Sequence, residues 1–220
     1  SVMLPRMSSL LANNDKAEFQ RKIEKSFDMV VSVATPLVIC GVILAPQIIR
    51  VISGVGYEGA IRPMQLIMPL ILVIGIAQVC VKQVLIPMKK DTVILKVSAV
   101  GACIGVMLNF FIVKNYGAVG TAMVLLASEL CINSFLIYYV ISCHLAIFPI
   151  RKVFVNVIGG IPYMVICILT TSFNLNPVFT LVFSFIVCFI YFILFKCFVE
   201  RDSVVGGFIM GKIIVKKRKD

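Results

Sequence analysis

Long apolar runs alternate with short polar connections along most of the chain. Six such runs stand at 27–49, 64–88, 93–113, 117–141, 153–172 and 177–199. Each reaches the roughly 20 residues that an α-helix needs to cross a hydrocarbon core about 30 Å thick. Because lipid cannot hydrogen-bond an open backbone, spans of this kind are helical. The pattern therefore predicts an all-α fold, a polytopic membrane bundle of about six transmembrane helices.

A shorter amphipathic segment precedes the first run. Its apolar side chains Phe19, Ile23 and Phe27 recur at every fourth position, which is the spacing of one helix face. Asp15 stands three residues before Glu18, as in a capping box that starts a helix. This pattern predicts an amphipathic helix on the membrane surface.

Basic residues are distributed unevenly between the two ends of the predicted helices. Of the 21 Lys and Arg residues, 17 lie on the side that holds both chain ends, and Lys82 lies within a span. Only Arg50, Arg62 and Lys114 lie on the opposite side. Cytoplasmic loops keep an excess of Lys and Arg, so both ends are predicted to be cytoplasmic.

These features divide the chain into four parts. They are a cytoplasmic juxtamembrane segment at 1–26, four transmembrane helices at 27–141, two further helices at 142–199 and a basic cytoplasmic tail at 200–220. The tail ends in four consecutive basic residues, which suit anionic lipid headgroups. No signal peptide precedes the first span, so the chain is expected to begin partway through a longer protein.

Composition excludes several classes of protein. With 60% hydrophobic residues and a mean hydropathy of +1.07, a water-soluble domain would expose large apolar patches. The net charge of +11 does not indicate a nucleic-acid partner, because the basic residues lie between apolar runs rather than in one patch. No P-loop, dinucleotide fingerprint or HExxH motif is present, and an enzyme is not expected.

The eight cysteines contain no CxxC pair, and all but Cys143 fall inside apolar runs. Neither zinc nor a disulfide framework is indicated. They are interpreted as small apolar residues, and no metal or cofactor is expected.

A carboxylate stands near the middle of the fourth run. Placing a charge at the centre of a spanning helix costs about 2.5–3.5 kcal/mol, so Glu129 requires a compensating role. Thr121, Glu129 and Asn133 share one helix face, which should point to protein or a cavity. Glu129 either titrates or contacts substrate, or it is a hydrogen-bonded packing residue. The sequence leaves both interpretations open.

Polar residues also mark the second and third runs. Lys82 follows Gln78 by one turn, and either serves a function or extends its long side chain to the nearby interface. Asn109 shares a face with Gly101 and Gly105, whose GxxxG spacing favours helix packing first and substrate contact second. Asn156 is interpreted as a packing residue and His144 as an interfacial side chain, and Lys196, near the end of the last run, is counted as the first of the seven carboxyl-terminal basic residues on the cytoplasmic side.

Four strings together have a family resemblance: VMLPRMSSL at 2–10, TPLVICGVILAPQIIRVISGVGY at 35–57, QVLIPMKKD at 83–91 and NFFIVKNYGAVGTAMVLLASE at 109–129. They resemble the carboxyl-terminal half of the bacterial polysaccharide-transporter family. Members are flippases for lipid-linked oligosaccharides of O-antigen and capsule, within the multidrug and toxin extrusion-like superfamily. The resemblance covers about residues 2–145.

The resemblance implies most of one lobe of a two-lobed flippase in the bacterial inner membrane, with the amino-terminal lobe absent. Its implied substrate is an undecaprenyl-diphosphate oligosaccharide. Lys82 would then contact a phosphate, Gln78 and Asn109 would contact sugar hydroxyls, and Glu129 would couple transport to an ion. Membrane lipids and the polymerase and chain-length proteins of the same pathway are further implied partners.

Two alternatives remain at this point. A cation-coupled drug exporter of the same superfamily would share the architecture and differ in substrate. A membrane glycosyltransferase or polymerase is weaker, because such chemistry needs clustered carboxylates, His or Arg at a wet membrane face. The outer loops offer only Glu58, Arg50, Arg62 and Lys114.

Overall fold

Every regular element in the residues that the structure describes is a helix. The computed structural model describes residues 3–143, 145, 149–173 and 176–198. Its α-helices are α1 Met3–Ala12, α2 Lys16–Ile43, α3 Ala45–Ile52, α4 Ile61–Ile67, α5 Leu70–Val79, α6 Asp91–Ser142, α7 Ile150–Ile158, α8 Ile161–Ser172 and α9 Pro177–Phe198. A 3₁₀ turn at Glu58–Ala60 precedes α4, and a π-helical segment at Cys80–Leu85 follows α5. The predicted all-α fold class is confirmed.

The longest element, α6, is a hairpin of two arms. Gly117 interrupts it with φ 53° and ψ −129°, a conformation that favours glycine. Gly101 on the first arm (91–116) packs directly against Ile132 on the second arm (118–142), although a straight helix would separate them by about 46 Å. The arms therefore run antiparallel, and they match the separate predicted spans 93–113 and 117–141.

With α6 divided in this way, the bundle has six membrane-crossing segments in the described residues. The other candidate spans are Lys16–Ile43, Glu58–Leu85, Val153–Ser172 and Pro177–Lys196. Across the six segments, many large apolar side chains remain exposed, such as Phe110, Phe111 and Phe189. An apolar outer surface of this extent suits lipid.

The predicted surface helix is continuous with the first span. Asp15 caps α2 by accepting a hydrogen bond from the amide of Glu18 at 3.1 Å, as the capping spacing indicated. However, α2 runs on without a break to Ile43. Phe19 and Ile23 are buried in a core cluster instead of facing lipid, because α1 and the end of the second span cover that helix face.

Two spans are interrupted where proline or glycine breaks the helix. The second span bends at Met68 and Pro69, between α4 and α5. The fifth bends at Gly159 and Gly160, between α7 and α8, with Pro162 in the first turn of α8. Proline there removes an amide that the preceding turn would otherwise bond.

Two hydrophobic clusters hold the helices together. The first joins α1, the start of α2, the π-helical segment and the second arm of α6, and includes Met7, Phe27, Val84 and Val140. The second joins the end of α2 to α8 and α9 through Cys40, Leu44, Tyr163, Cys167 and Cys188. Because α2 belongs to both clusters, it ties the two halves of the bundle together.

Candidate functional site

Gln78 and Lys82 lie near the cytoplasmic end proposed for the second span, where the helix changes from α to π. Both side chains are exposed, while the neighbouring Val79 and Cys80 are buried in the first cluster. Their side chains form no hydrogen bond or ion pair with any described residue. Because π-helical turns often occur at functional sites, this local widening favours the functional interpretation of the pair.

Asn109 lies on the first arm of α6 with its side chain exposed. Its amide donates a hydrogen bond of 3.1 Å to the carbonyl of Gly105, within the same helix. Gly101 and Gly105 face the second arm, as their spacing predicted. Asn109 therefore does not bridge the two arms, because its side-chain amide is hydrogen-bonded within its own helix.

Glu129 lies on the second arm of α6 and is partly buried. Its Oε2 atom accepts a hydrogen bond of 3.2 Å from the side-chain amide of Asn133, one turn further along. Asn133 is buried. The polar face predicted for this helix thus contains a hydrogen bond between two side chains. Glu129 and Lys82 do not form an ion pair with each other.

The four predicted site residues are therefore not joined by direct contacts. Three of them, Lys82, Gln78 and Asn109, present polar atoms on the outside of the bundle. An exposed lysine or amide at membrane depth is costly against lipid and is normally covered by protein or a water-filled cavity. Their exposure is thus the arrangement expected of residues that line a cavity completed by another part of a protein.

A buried polar cluster lies elsewhere, where α2, α7 and α9 meet. Its members are Asp28, Ser32, Asn156 and Lys196, each at most 5% exposed. The ammonium of Lys196 donates to Oδ1 of Asn156 at 2.8 Å and to Oγ of Ser32 at 2.5 Å. The amide of Asn156 in turn donates to Oδ1 of Asp28 at 3.4 Å. We call this group the Lys196 cluster.

Small residues and a proline allow the Lys196 cluster to form. Gly160 lies so close to α2 that a Cβ atom would sit 3.1 Å from Thr35, which lets α7 and α8 approach. Pro36 lacks the amide that would bond the carbonyl of Ser32 in a regular helix, so polar backbone is left beside the cluster. Asp28 and Lys196 are both buried in this apolar bundle, and hydrogen bonds connect them through Asn156, while Oδ2 of Asp28 has no hydrogen-bond partner among the described residues.

Sequence reasoning missed this cluster although a signal was present. Asp28 and Lys196 both lie inside predicted spans, 27–49 and 177–199, and a charge within a span needs a partner. From the sequence, Lys196 is counted only as a basic residue on the predicted cytoplasmic side, and Asn156 only as a packing residue, so the contact between them was not predicted. The structure buries Lys196 within α9.

Among the described residues, one group of His, Cys, Asp or Glu side chains is close enough together to hold a metal ion. It consists of three thiols. Cys40 from α2, Cys167 from α8 and Cys188 from α9 have Sγ atoms 3.7, 3.7 and 4.0 Å apart. All three side chains are buried. They lie about two helical turns from the Lys196 cluster along α2 and α9.

Comparison with known proteins shows a likeness in structure but not in sequence. No protein-family model matches the chain, and no curated protein matches it in sequence. A solved structure described as the lipid II flippase MurJ in an inward closed conformation superposes with a TM-score of 0.73 at 14% sequence identity. The match covers 92% of this chain and 43% of the flippase, so the chain spans less than half of that protein's length. The chain is thus a multi-pass helical membrane protein with the fold of about half of a MurJ-type flippase.

Proposed function

We propose that this chain forms most of one lobe of a flippase that moves undecaprenyl-diphosphate-linked oligosaccharides from the cytoplasmic to the outer leaflet, for surface polysaccharides such as O-antigen or capsule. The observation that carries the proposal is the fold shared with a lipid II flippase over 92% of the chain. The sequence strings that resemble polysaccharide transporters favour an oligosaccharide cargo on that fold.

Exposed polar residues on an otherwise apolar surface support transport over a structural role. Lys82 offers a cation for a diphosphate, and Gln78 and Asn109 offer amides for sugar hydroxyls. A polar head of this kind does not dissolve in hydrocarbon, so it needs a protein-lined path. A second lobe, supplied by the rest of the protein, would close that path on its other side.

Glu129 is the proposed site of ion coupling. Its contact with Asn133 leaves the carboxylate partly exposed, so a proton or a cation can reach it. In this role its protonation would differ between the two states of the transporter. The same residue would serve a drug exporter equally well, so it does not decide the cargo.

The proposed location is the bacterial inner membrane, with both ends of this segment cytoplasmic. The distribution of basic residues supports this orientation. A periplasmic reporter fused after Gly56 should be active, and one fused after Lys90 should be inactive. The reverse pattern would overturn the orientation. The polymerase and chain-length proteins of the same pathway are proposed partners.

The cargo is tested by deleting the gene of the full-length protein in its natural host. We expect lipid-linked repeat units to accumulate in the cytoplasmic leaflet while the surface polysaccharide disappears. Reintroducing the wild-type gene should restore the polysaccharide, whereas Lys82→Ala should not. An unchanged polysaccharide together with increased sensitivity to cationic drugs would overturn the proposal in favour of drug export.

A further inference from the structure

The three buried thiols of the bundle have the spacing of a metal site. Three sulfurs that each lie about 2.3 Å from one metal ion are about 3.8 Å apart in tetrahedral geometry and about 4.0 Å apart in planar trigonal geometry. The Sγ atoms of Cys40, Cys167 and Cys188 are separated by 3.7–4.0 Å. An ion could therefore bind between them with little movement of the helices.

The surroundings of the thiols select the kind of ion. The second hydrophobic cluster encloses them, and Cys167 has no exposed surface at all. No carboxylate or imidazole joins them among the described residues. A site made only of sulfur, in apolar surroundings, prefers soft ions such as Cu(I) over hard ions that need oxygen ligands.

The number of ligands also favours Cu(I) over zinc. Structural zinc sites are almost always four-coordinate, and no fourth His, Cys, Asp or Glu joins the three thiols among the described residues. Sulfur binds a metal as the thiolate, so each coordinating thiol releases its proton to solvent on binding. The oxidation state of copper and sulfur does not change in this step.

An apolar cleft reaches the cluster from the side. The cleft has a volume of about 230 Å³, and its apolar lining includes Cys40, Phe185, Cys188, Phe189 and Phe192. Two of its lining residues are thus themselves members of the thiol group. A soft ion bound to another thiol can reach the sulfurs along this cleft by ligand exchange. It then does not have to cross the apolar surroundings as a hydrated cation.

We infer that Cys40, Cys167 and Cys188 form a binding site for one soft monovalent metal ion of the Cu(I) class. The three thiols come from α2, α8 and α9, so one bound ion joins three helices of the bundle. This inference rests on the thiol geometry and does not depend on the proposed cargo.

The test uses the full-length protein, purified in the reduced state in detergent micelles. Cu(I) is the probe, and its binding is measured by competition with the chromophoric chelator bathocuproine disulfonate. We expect one Cu(I) per chain to resist the chelator in the wild type. A variant with Cys40, Cys167 and Cys188 all changed to Ala should lose at least tenfold in affinity. Cys103→Ser and Cys143→Ser, at exposed cysteines, should bind as the wild type does.

X-ray absorption at the copper edge provides a readout that needs no variant. Wild-type protein loaded with one Cu(I) should show three sulfur neighbours at about 2.3 Å. Copper bound by two sulfurs, or by nitrogen and oxygen, would overturn the inference. It would equally be overturned by wild-type affinity in the triple variant, or by complete loss of Cu(I) to the chelator.

Discussion

Lys196 and Asn156 are 40 positions apart in the sequence, yet the ammonium of Lys196 lies 2.8 Å from Oδ1 of Asn156 inside the bundle. This contact joins the last described helix to α7, and Asn156 passes the interaction on to Asp28 in α2. A lysine near the end of an apolar helix thus connects α2, α7 and α9 through side-chain hydrogen bonds. The same contact suggests the first prediction.

Changing Lys196 to Met should destabilise the bundle. The substitution removes the ammonium that donates to Ser32 and Asn156 and leaves Asp28 buried in the same cluster without a nearby positive charge. Leaving buried polar groups unsatisfied in this way costs about 1–3 kcal/mol. We expect a clearly lower midpoint of thermal unfolding for the purified protein. Adding Asp28→Asn should recover part of the loss, because it removes the uncompensated charge.

Lys96→Met is the matched control for this prediction. Lys96 is exposed, and a surface substitution of this kind usually changes stability by less than about 0.5 kcal/mol. If Lys196→Met unfolds at the same temperature as Lys96→Met, the charges of the Lys196 cluster do not stabilise the bundle.

The packing of the α6 arms predicts a second result. A Cβ atom at Gly101 would overlap the side chain of Ile132, so Gly101→Ala should weaken the hairpin by about 1–3 kcal/mol. Ile132→Ala in the same chain should relieve the overlap and raise the unfolding midpoint again. Gly105→Ala provides the control, because its Cβ would meet Ser128 at an ordinary 3.6 Å. A rescue that fails would show that the two arms do not meet at this point.

Gly117 provides a separate test of the hairpin turn. No atom lies within 4 Å of a Cβ built there, so the only cost of Gly117→Ala is its backbone conformation, about 1–3 kcal/mol. Gly59→Ala also meets open space but has no positive φ, and it should be nearly neutral. Equal unfolding midpoints for the two variants would contradict the turn geometry described for Gly117.

Sequence alone predicted the helical class and the positions of the six spans well, because length and hydropathy determine which segments enter a membrane. It could not predict how the spans pair. Continuity between the amphipathic segment and the first span, and the burial of Phe19, depend on the tertiary contacts of α1. The proximity of Lys196 to Asn156 also depends on helix packing, although the charged residues Asp28 and Lys196 within spans were visible in the sequence.

The site residues, too, could be predicted from the sequence only in part. A polar face around Glu129 could be identified from helical periodicity, and its Asn133 contact follows that periodicity. The convergence of Cys40, Cys167 and Cys188 could not be identified, because three cysteines on three helices have no shared sequence spacing. For Lys82 and Gln78, the structure shows only that both side chains are exposed, and their part in substrate binding stays a prediction.

The proposed phosphate contact of Lys82 can be tested by its effect on transport. Lys82→Ala removes the proposed phosphate contact and should lower transport at least tenfold, while Lys82→Arg should keep most of it because a cation remains. Flux of a lipid-linked oligosaccharide into the outer leaflet of whole cells measures this effect. Lys96→Ala is a surface control that should transport normally. Wild-type flux in Lys82→Ala would remove this residue from the proposed binding site.

Transport of lipid-linked oligosaccharides across a bilayer, the function proposed for this protein, can be measured after reconstitution. The full-length protein is placed in liposomes containing a fluorescently labelled undecaprenyl-diphosphate oligosaccharide, and a membrane-impermeant quencher reports which leaflet the label occupies. We expect labelled lipid to exchange between leaflets much faster than in protein-free liposomes, and this exchange to be lost with Lys82→Ala. Exchange no faster than in protein-free liposomes, from protein that is folded and monodisperse, would contradict the proposed function.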